Sequence, residues 1–136
     1  MPTRRPKFNF VIICDDIRTE VGNKISMMGV YQKDIFVPKF PFILPKLCFV
    51  ISYENMKGGD TFLIEFIGPS KDQLGKSIKG GIPKNIEGYA GFQIHAVYSP
   101  LKVEKEGEYK LTVMINDDEK GKKEIKFAIK QRKIDK

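Results

Sequence analysis

The sequence predicts an all-β protein, an antiparallel β-sandwich of two sheets and about seven to eight strands. Three observations carry that expectation. The stretch Gly107–Ile129 places Tyr109, Leu111, Val113 and Ile115 on one side of an extended chain, crosses a polar turn at Asn116–Gly121, and resumes with Ile125, Phe127 and Ile129 at the same spacing. Period two on both sides of a turn makes a hairpin with one apolar face, and a lone hairpin is marginal in water, so that face needs a second sheet beneath it. Shorter runs of the same kind recur between Gly- and Pro-rich turns, and no amphipathic stretch reaches helix length. Ten Phe and five Tyr without a Trp also suit strand-rich packing.

Met1–Lys7 is a polar, basic arm. Phe8–Cys14 is a first strand, apolar on both faces apart from Asn9, which implies little exposure. Asp15 and Asp16 end it, and the residues after them read as one helical turn with Asp16 as N-cap. After a turn at Val21–Asn23, Lys24–Tyr31 is a second strand in which Gly29 signals a bulge or a close backbone approach. Ile35–Val37 is a short extended piece. Pro38–Pro45 holds three prolines, so it crosses an end of the sandwich, and any of Pro38, Pro41 and Pro45 is a candidate for a cis bond. Leu47–Tyr53 and Thr61–Ile67 are strands joined through the turn at Asn55–Asp60. Lys71–Gly91 is the least regular region, with a short edge strand at Lys76–Lys79. Phe92–Tyr98 is another strand, and Leu101 and Val103 lead through Glu104–Gly107 into the closing hairpin. Tyr109, placed just after that turn, has the position of a tyrosine corner.

A chain of 136 residues suits one domain. The reading assigns 1–7 to a basic flexible arm, 8–130 to the sandwich and 131–136 to a basic tail. The net charge is +7, but it is not spread evenly. Arg4, Arg5 and Lys7 carry three of the excess charges, Lys130, Arg132, Lys133 and Lys136 against Asp135 carry three more, and the body keeps one. A near-neutral body is no phosphate-binding face, so nucleic acid or an anionic surface is reached only through the tails. No run is long enough to span a membrane and no signal peptide is visible. The expectation is a cytoplasmic protein with Cys14 and Cys48 as reduced, mostly buried thiols.

The pattern C-D-D-I-R-T-E at Cys14–Glu20, followed by G-N-K-I-S-M-M-G-V-Y at Gly22–Tyr31, resembles an uncharacterised family of small bacterial and phage-associated proteins. The resemblance implies a single all-β domain and brings no catalytic residue with it. The closing G-E-Y-K-L-T-V-M-I-N-D is similar to the ends of immunoglobulin-like sandwiches, which makes the expected architecture immunoglobulin-like.

The chemistry-bearing residues support few activities. Asp15, Asp16 and Glu20 form one acidic cluster and Asp117, Asp118 and Glu119 another, and a calcium site needs both at one end of the sandwich, because calcium takes six to eight oxygen ligands. Cys14, Cys48 and His95 lack the spacing of a zinc site. Gly58–Gly59 and Gly80–Gly81 lack the Lys-Ser/Thr of a phosphate loop. His95 shows no partner that would make it a catalytic base. No cofactor is expected. The leading reading is a non-enzymatic protein-interaction or structural module that binds another protein or itself, homodimer included. Its candidate contact residues are Phe36, Phe40, Phe42 and Leu44, set among prolines that restrict the backbone; the competing assignment for them is a plug that closes the core. A calcium-dependent binder, a small hydrolase with an unrecognised site and a tail-mediated binder of nucleic acid stay open as alternatives.

Overall fold

The structure is a computed structural model that describes residues 6–132. Among these residues it is all-β, with eleven strands and a single turn of 3-10 helix at Glu119–Gly121. The strands are β1 (Lys7–Glu20), β2 (Lys24–Val30), β3 (Ile35–Val37), β4 (Phe42–Leu44), β5 (Leu47–Lys57), β6 (Thr61–Ile67), β7 (Gln73–Gly81), β8 (Tyr89–Tyr98), β9 (Leu101–Val103), β10 (Gly107–Ile115) and β11 (Lys123–Gln131). They form a four-stranded sheet in the order β2-β1-β5-β8, a five-stranded sheet in the order β3-β11-β10-β6-β7, and a two-stranded ribbon of β4 and β9.

The two larger sheets meet through an aromatic core. Phe49 of β5 lies 5.6 Å from Phe66 of β6 and 6.0 Å from Phe127 of β11, ring centre to ring centre, and Tyr98 of β8 lies 5.4 Å from Phe66. Each such pair adds about 0.5–1.5 kcal/mol beyond the area it buries. Tyr109 packs in the same cluster, and its hydroxyl donates to the Lys105 carbonyl at 2.6 Å, which is the bond a tyrosine corner makes.

The hairpin that organises the sequence is present as β10 and β11, with Tyr109 opposite Phe127 and Leu111 opposite Ile125. Four expectations are corrected. Asp15 and Asp16 do not end the first strand. β1 continues to Glu20 because Ile17–Glu20 pair with Lys24–Met27 around a turn in which Gly22 and Asn23 take positive φ. Ladder pairing satisfies backbone groups that one isolated helical turn leaves open. β7 is nine residues long rather than four, and it tolerates its glycines because it is an edge strand. The Ile35–Val37 piece pairs parallel to β11, so the architecture is not purely antiparallel. Lys7 and Gln131, assigned to the arm and tail, belong to strands, and Arg132 N donates to Val37 O at 2.7 Å. Three of the eleven strands are only three residues long, which accounts for the low strand count expected from sequence. The Phe40–Pro41 and Ser99–Pro100 bonds are cis.

Candidate interaction surface

Strand alternation and register divide the residues of the four-stranded sheet between its two faces. Val11, Ile13, Phe49, Ile51, Tyr53, Ile94 and Tyr98 point to the core between the sheets. Phe10, Ile12, Cys14, Cys48, Val50 and Val97 therefore point outward. Across the sheet, one outward row reads Val30, Cys14, Cys48, Val97, and the next holds Ile12 and Val50 beside His95. Cys14, Cys48 and Val50 are buried, yet they lie outside the core cluster, so other side chains of the outward face seal them. Around them Phe10 is 42%, Met28 45%, Val30 49% and Val97 44% exposed. These are four of the nine large apolar side chains that stand exposed among the described residues, gathered on one face of one sheet. Scattered exposed apolar residues are ordinary; a contiguous group with a polar border marks a contact surface.

The border is built from charges fixed by the fold. Lys46 Nζ lies 2.9 Å from Asp16 Oδ1, and Arg18 Nε lies 3.9 Å from the other Asp16 oxygen. The Lys46 hydrogen bond holds the Asp16 carboxyl below its usual range. At the opposite end of the strands Lys7 stands across from Glu54. Asp15 points away from this face. Tyr31 Oη donates to Asp15 Oδ1 at 2.5 Å, and burial, followed by that bond, pushes the phenol well above its ordinary value. Gly29, opposite Asp15, has φ +65, and a side chain there would run into the Asp15 carboxylate. The glycine thus marks a close approach to that side chain.

The thiols are free. Cys14 and Cys48 face each other across β1 and β5, and burial pushes Cys48 up to about 11, while Cys14 is also raised. A nucleophilic thiol needs the reverse shift. His95 shares the outward face with Val50 and Val97, and its Nε2 lies 3.4 Å from Gln93 Oε1.

The other sequence candidates are dispersed. Leu44 is buried in the core, and Phe40 and Phe42 are partly buried against it, as a core-closing plug requires. Phe36, on the edge strand β3, is 55% exposed, and its companion in exposure is Ile43, which the sequence did not single out. Asp15 and Asp16 sit near the Leu47 end of β5, whereas Asp118 shares a cavity with Asn55 and Lys57 at the other end. With about 3.3 Å per residue, more than about 20 Å of strand separates the clusters, so they do not share an end. Asp118 caps the 3-10 turn by accepting from Lys120 N at 3.2 Å. No group of three or more acidic, Cys or His side chains positioned to hold a metal occurs among the described residues. No helix among them is long and apolar enough to cross a membrane.

The outward patch was missed because an apolar run on both faces of a strand reads as full burial. The signal was present in Phe10, Ile12 and Cys14 alternating with Val11 and Ile13, and again in Cys48 and Val50. No curated protein matches the chain. A family of unknown function, DUF6941, matches residues 9–129, which include the whole Cys14–Tyr31 pattern and all of this sheet except Lys7 and Phe8 of β1. The chain belongs to the DUF6941 family, whose function is unknown.

Proposed function

We propose that this protein is a non-enzymatic binding module whose partner is a second copy of itself, docked on the outward face of the β2-β1-β5-β8 sheet. The observation that carries the reading is the ring of half-exposed Phe10, Met28, Val30 and Val97 around a strip of buried Cys14, Cys48 and Val50 and partly buried Ile12. Charge favours a second copy over a strongly acidic or basic partner. Both ends of the face carry both signs, with Asp16, Arg18 and Lys46 at one and Lys7 and Glu54 at the other. A copy related by a two-fold axis can therefore oppose unlike charges at each end. The area also fits. Four strands about 4.8 Å apart, over about eight residues at 3.3 Å each, project to about 500 Å². Side-chain relief raises that toward the ~800 Å² per partner of a standard interface. Sheets stack face to face in this manner within sandwiches. The buried Cys48 thiol, pushed up by desolvation, supports binding rather than nucleophilic catalysis.

Complete burial of one such side chain contributes about 1.5–3 kcal/mol, so a half-exposed one contributes about 1 kcal/mol on docking. Eight of them across two copies contribute about 8 kcal/mol against an association cost of about 4–15 kcal/mol. The affinity expected is micromolar or weaker. Sedimentation velocity of the full chain over a concentration series tests it. A dimer is expected, and Val30→Glu should weaken it at least about tenfold while leaving the thermal midpoint of the monomer unchanged. A protein that stays monomeric up to about 1 mM, or a dimer indifferent to Val30→Glu, overturns the proposal.

A further inference from the structure

Cys14 and Cys48 are the two cysteines of the chain, and the fold sets them directly opposite each other on β1 and β5. Both are free and both are buried on the outward face. Their sulfurs converge. Cys14 Sγ donates to Asp16 O at 3.5 Å and Cys48 Sγ to Asp15 O at 3.7 Å, so both thiols aim at the carbonyls of two consecutive residues.

The rung has the dimensions of a disulfide, with some strain. Ile13 O accepts from Tyr31 N at 2.8 Å, so Ile13 turns its backbone groups toward β2 and Cys14 turns its own toward β5. Cys14–Cys48 is therefore a hydrogen-bonded rung, whose Cα atoms stand about 5.5 Å apart. A disulfide accepts Cα separations of about 4.4–6.8 Å. It also needs Cβ atoms about 3.5–4.5 Å apart, and on such a rung they start near the wide end of about 4.5–5.5 Å. The two strands must draw together slightly, and bridges made under strain are the readily reduced ones.

This rung is free to make that movement. It is the last of the β1–β5 ladder: β5 begins at Leu47, and Asp16–Glu20 pair with β2. The end of a ladder opens at a lower cost than the whole fold does. Such opening admits a small oxidant that the closed face excludes. The residues flanking the pair across the sheet, Val30 and Val97, are themselves half-exposed.

We infer that Cys14 and Cys48 are a redox-sensitive pair that closes to a reversible intramolecular disulfide on reaction with a peroxide. Hydrogen peroxide converts one thiol to a sulfenic acid, and its O–O bond breaks with release of one water. The second sulfur then attacks the first; the S–S bond forms, the S–O bond breaks, and the hydroxyl leaves with the second thiol proton as another water. The two electrons lost by the sulfurs are those that reduce the peroxide. Burial pushes both thiols above their ordinary value, so closure is slow at neutral pH and answers sustained rather than brief oxidation.

The test uses the full chain at about 0.1 µM, below the concentration at which two copies would dock, so this inference and the dimer fail separately. The protein is held with hydrogen peroxide at pH 8, then unfolded, alkylated and weighed. The expected product is lighter by two hydrogens, takes up no alkyl group, and yields on proteolysis a peptide pair joined through Cys14 and Cys48. Its circular dichroism stays that of the untreated protein, and millimolar reduced glutathione returns both thiols. Four results overturn the inference: both thiols still alkylated after a day in peroxide, sulfinic acid in place of the bridge, a bridge between two chains, or a bridge that glutathione leaves intact.

Discussion

Tyr98 and Tyr109 carry the same side chain into the same aromatic core, and replacing each with Phe should move stability in opposite directions. Their rings lie 5.4 and 5.9 Å from Phe66, and both residues are buried. The Tyr109 hydroxyl donates to Lys105 O at 2.6 Å; the Tyr98 hydroxyl is sealed with no partner. Tyr109→Phe removes a made hydrogen bond and should cost about 1 kcal/mol. Tyr98→Phe removes a buried polar group whose burial costs about 1–3 kcal/mol, and after the small void it leaves, the gain should be about 1 kcal/mol. At this chain length each change shifts the melting midpoint by about 4 °C. Urea denaturation and calorimetry of the two variants read the sign directly. The alkaline limb gives a second reading. Burial pushes Tyr98 up to about 12 from an ordinary 10. The unfolded chain releases this proton from about pH 10 while the folded chain keeps it, so the stabilisation is complete below pH 10 and is lost as pH rises through 12. Two units correspond to about 3 kcal/mol. Tyr98→Phe should flatten that part of the fall, leaving the shares of Tyr53, which burial also pushes up to about 12, and of Tyr31 and Tyr109, which burial also raises. If Tyr98→Phe destabilises the protein as much as Tyr109→Phe, the hydroxyl has a partner and the reasoning fails.

Two further substitutions probe the polar framework. Gly29→Ala forces a left-handed position, at about 1–2 kcal/mol, and drives a methyl group toward the Asp15 carboxylate, so equilibrium unfolding should show a loss of about 2 kcal/mol or more; the double variant with Asp15→Ala should recover the steric part but not the backbone part. Asp60→Ala strips the acceptor from both Lys57 N and Asn116 Nδ2 and should cost about 2–4 kcal/mol in the same assay; a loss under about 1 kcal/mol would mean that water replaces the carboxylate.

Elements whose pairing is local were legible in the sequence. The β10–β11 hairpin and the alternation of Leu47–Tyr53 follow from period two and a polar turn, and Tyr109 was placed by its distance from that turn. The misreadings arise where a tertiary partner decides. Asp16 looks like an N-cap until Lys46, thirty residues away, takes its carboxylate. The glycines of β7 look like a loop until β6 supplies the ladder. Phe40, Phe42 and Leu44 looked equally available, and only the core distinguishes them from Phe36. The outward patch and the end cavity were invisible for a related reason. The patch needs two strands that are apolar on both faces to be neighbours, and the cavity joins Asp60 to Asn116 across 56 residues. No local period encodes either adjacency.

The position of β11 has a consequence for how the chain is made. β11, the most C-terminal strand among the described residues, is an interior strand of its sheet, between β3 and β10. Until the ribosome has added residues 123–131, β3 has no backbone neighbour and β10 keeps an open edge. The Asp34 carboxylate waits 94 residues for Ala128 N, and Ile35 and Val37, buried in the finished protein, lack their ladder partners Ile129 and Gln131. This sheet therefore cannot be completed before residues 123–131 have been added. Contacts of such long separation place folding in the millisecond-to-second class. In that interval the nascent chain presents unpaired strand edges, the feature that chaperones and aggregation compete for.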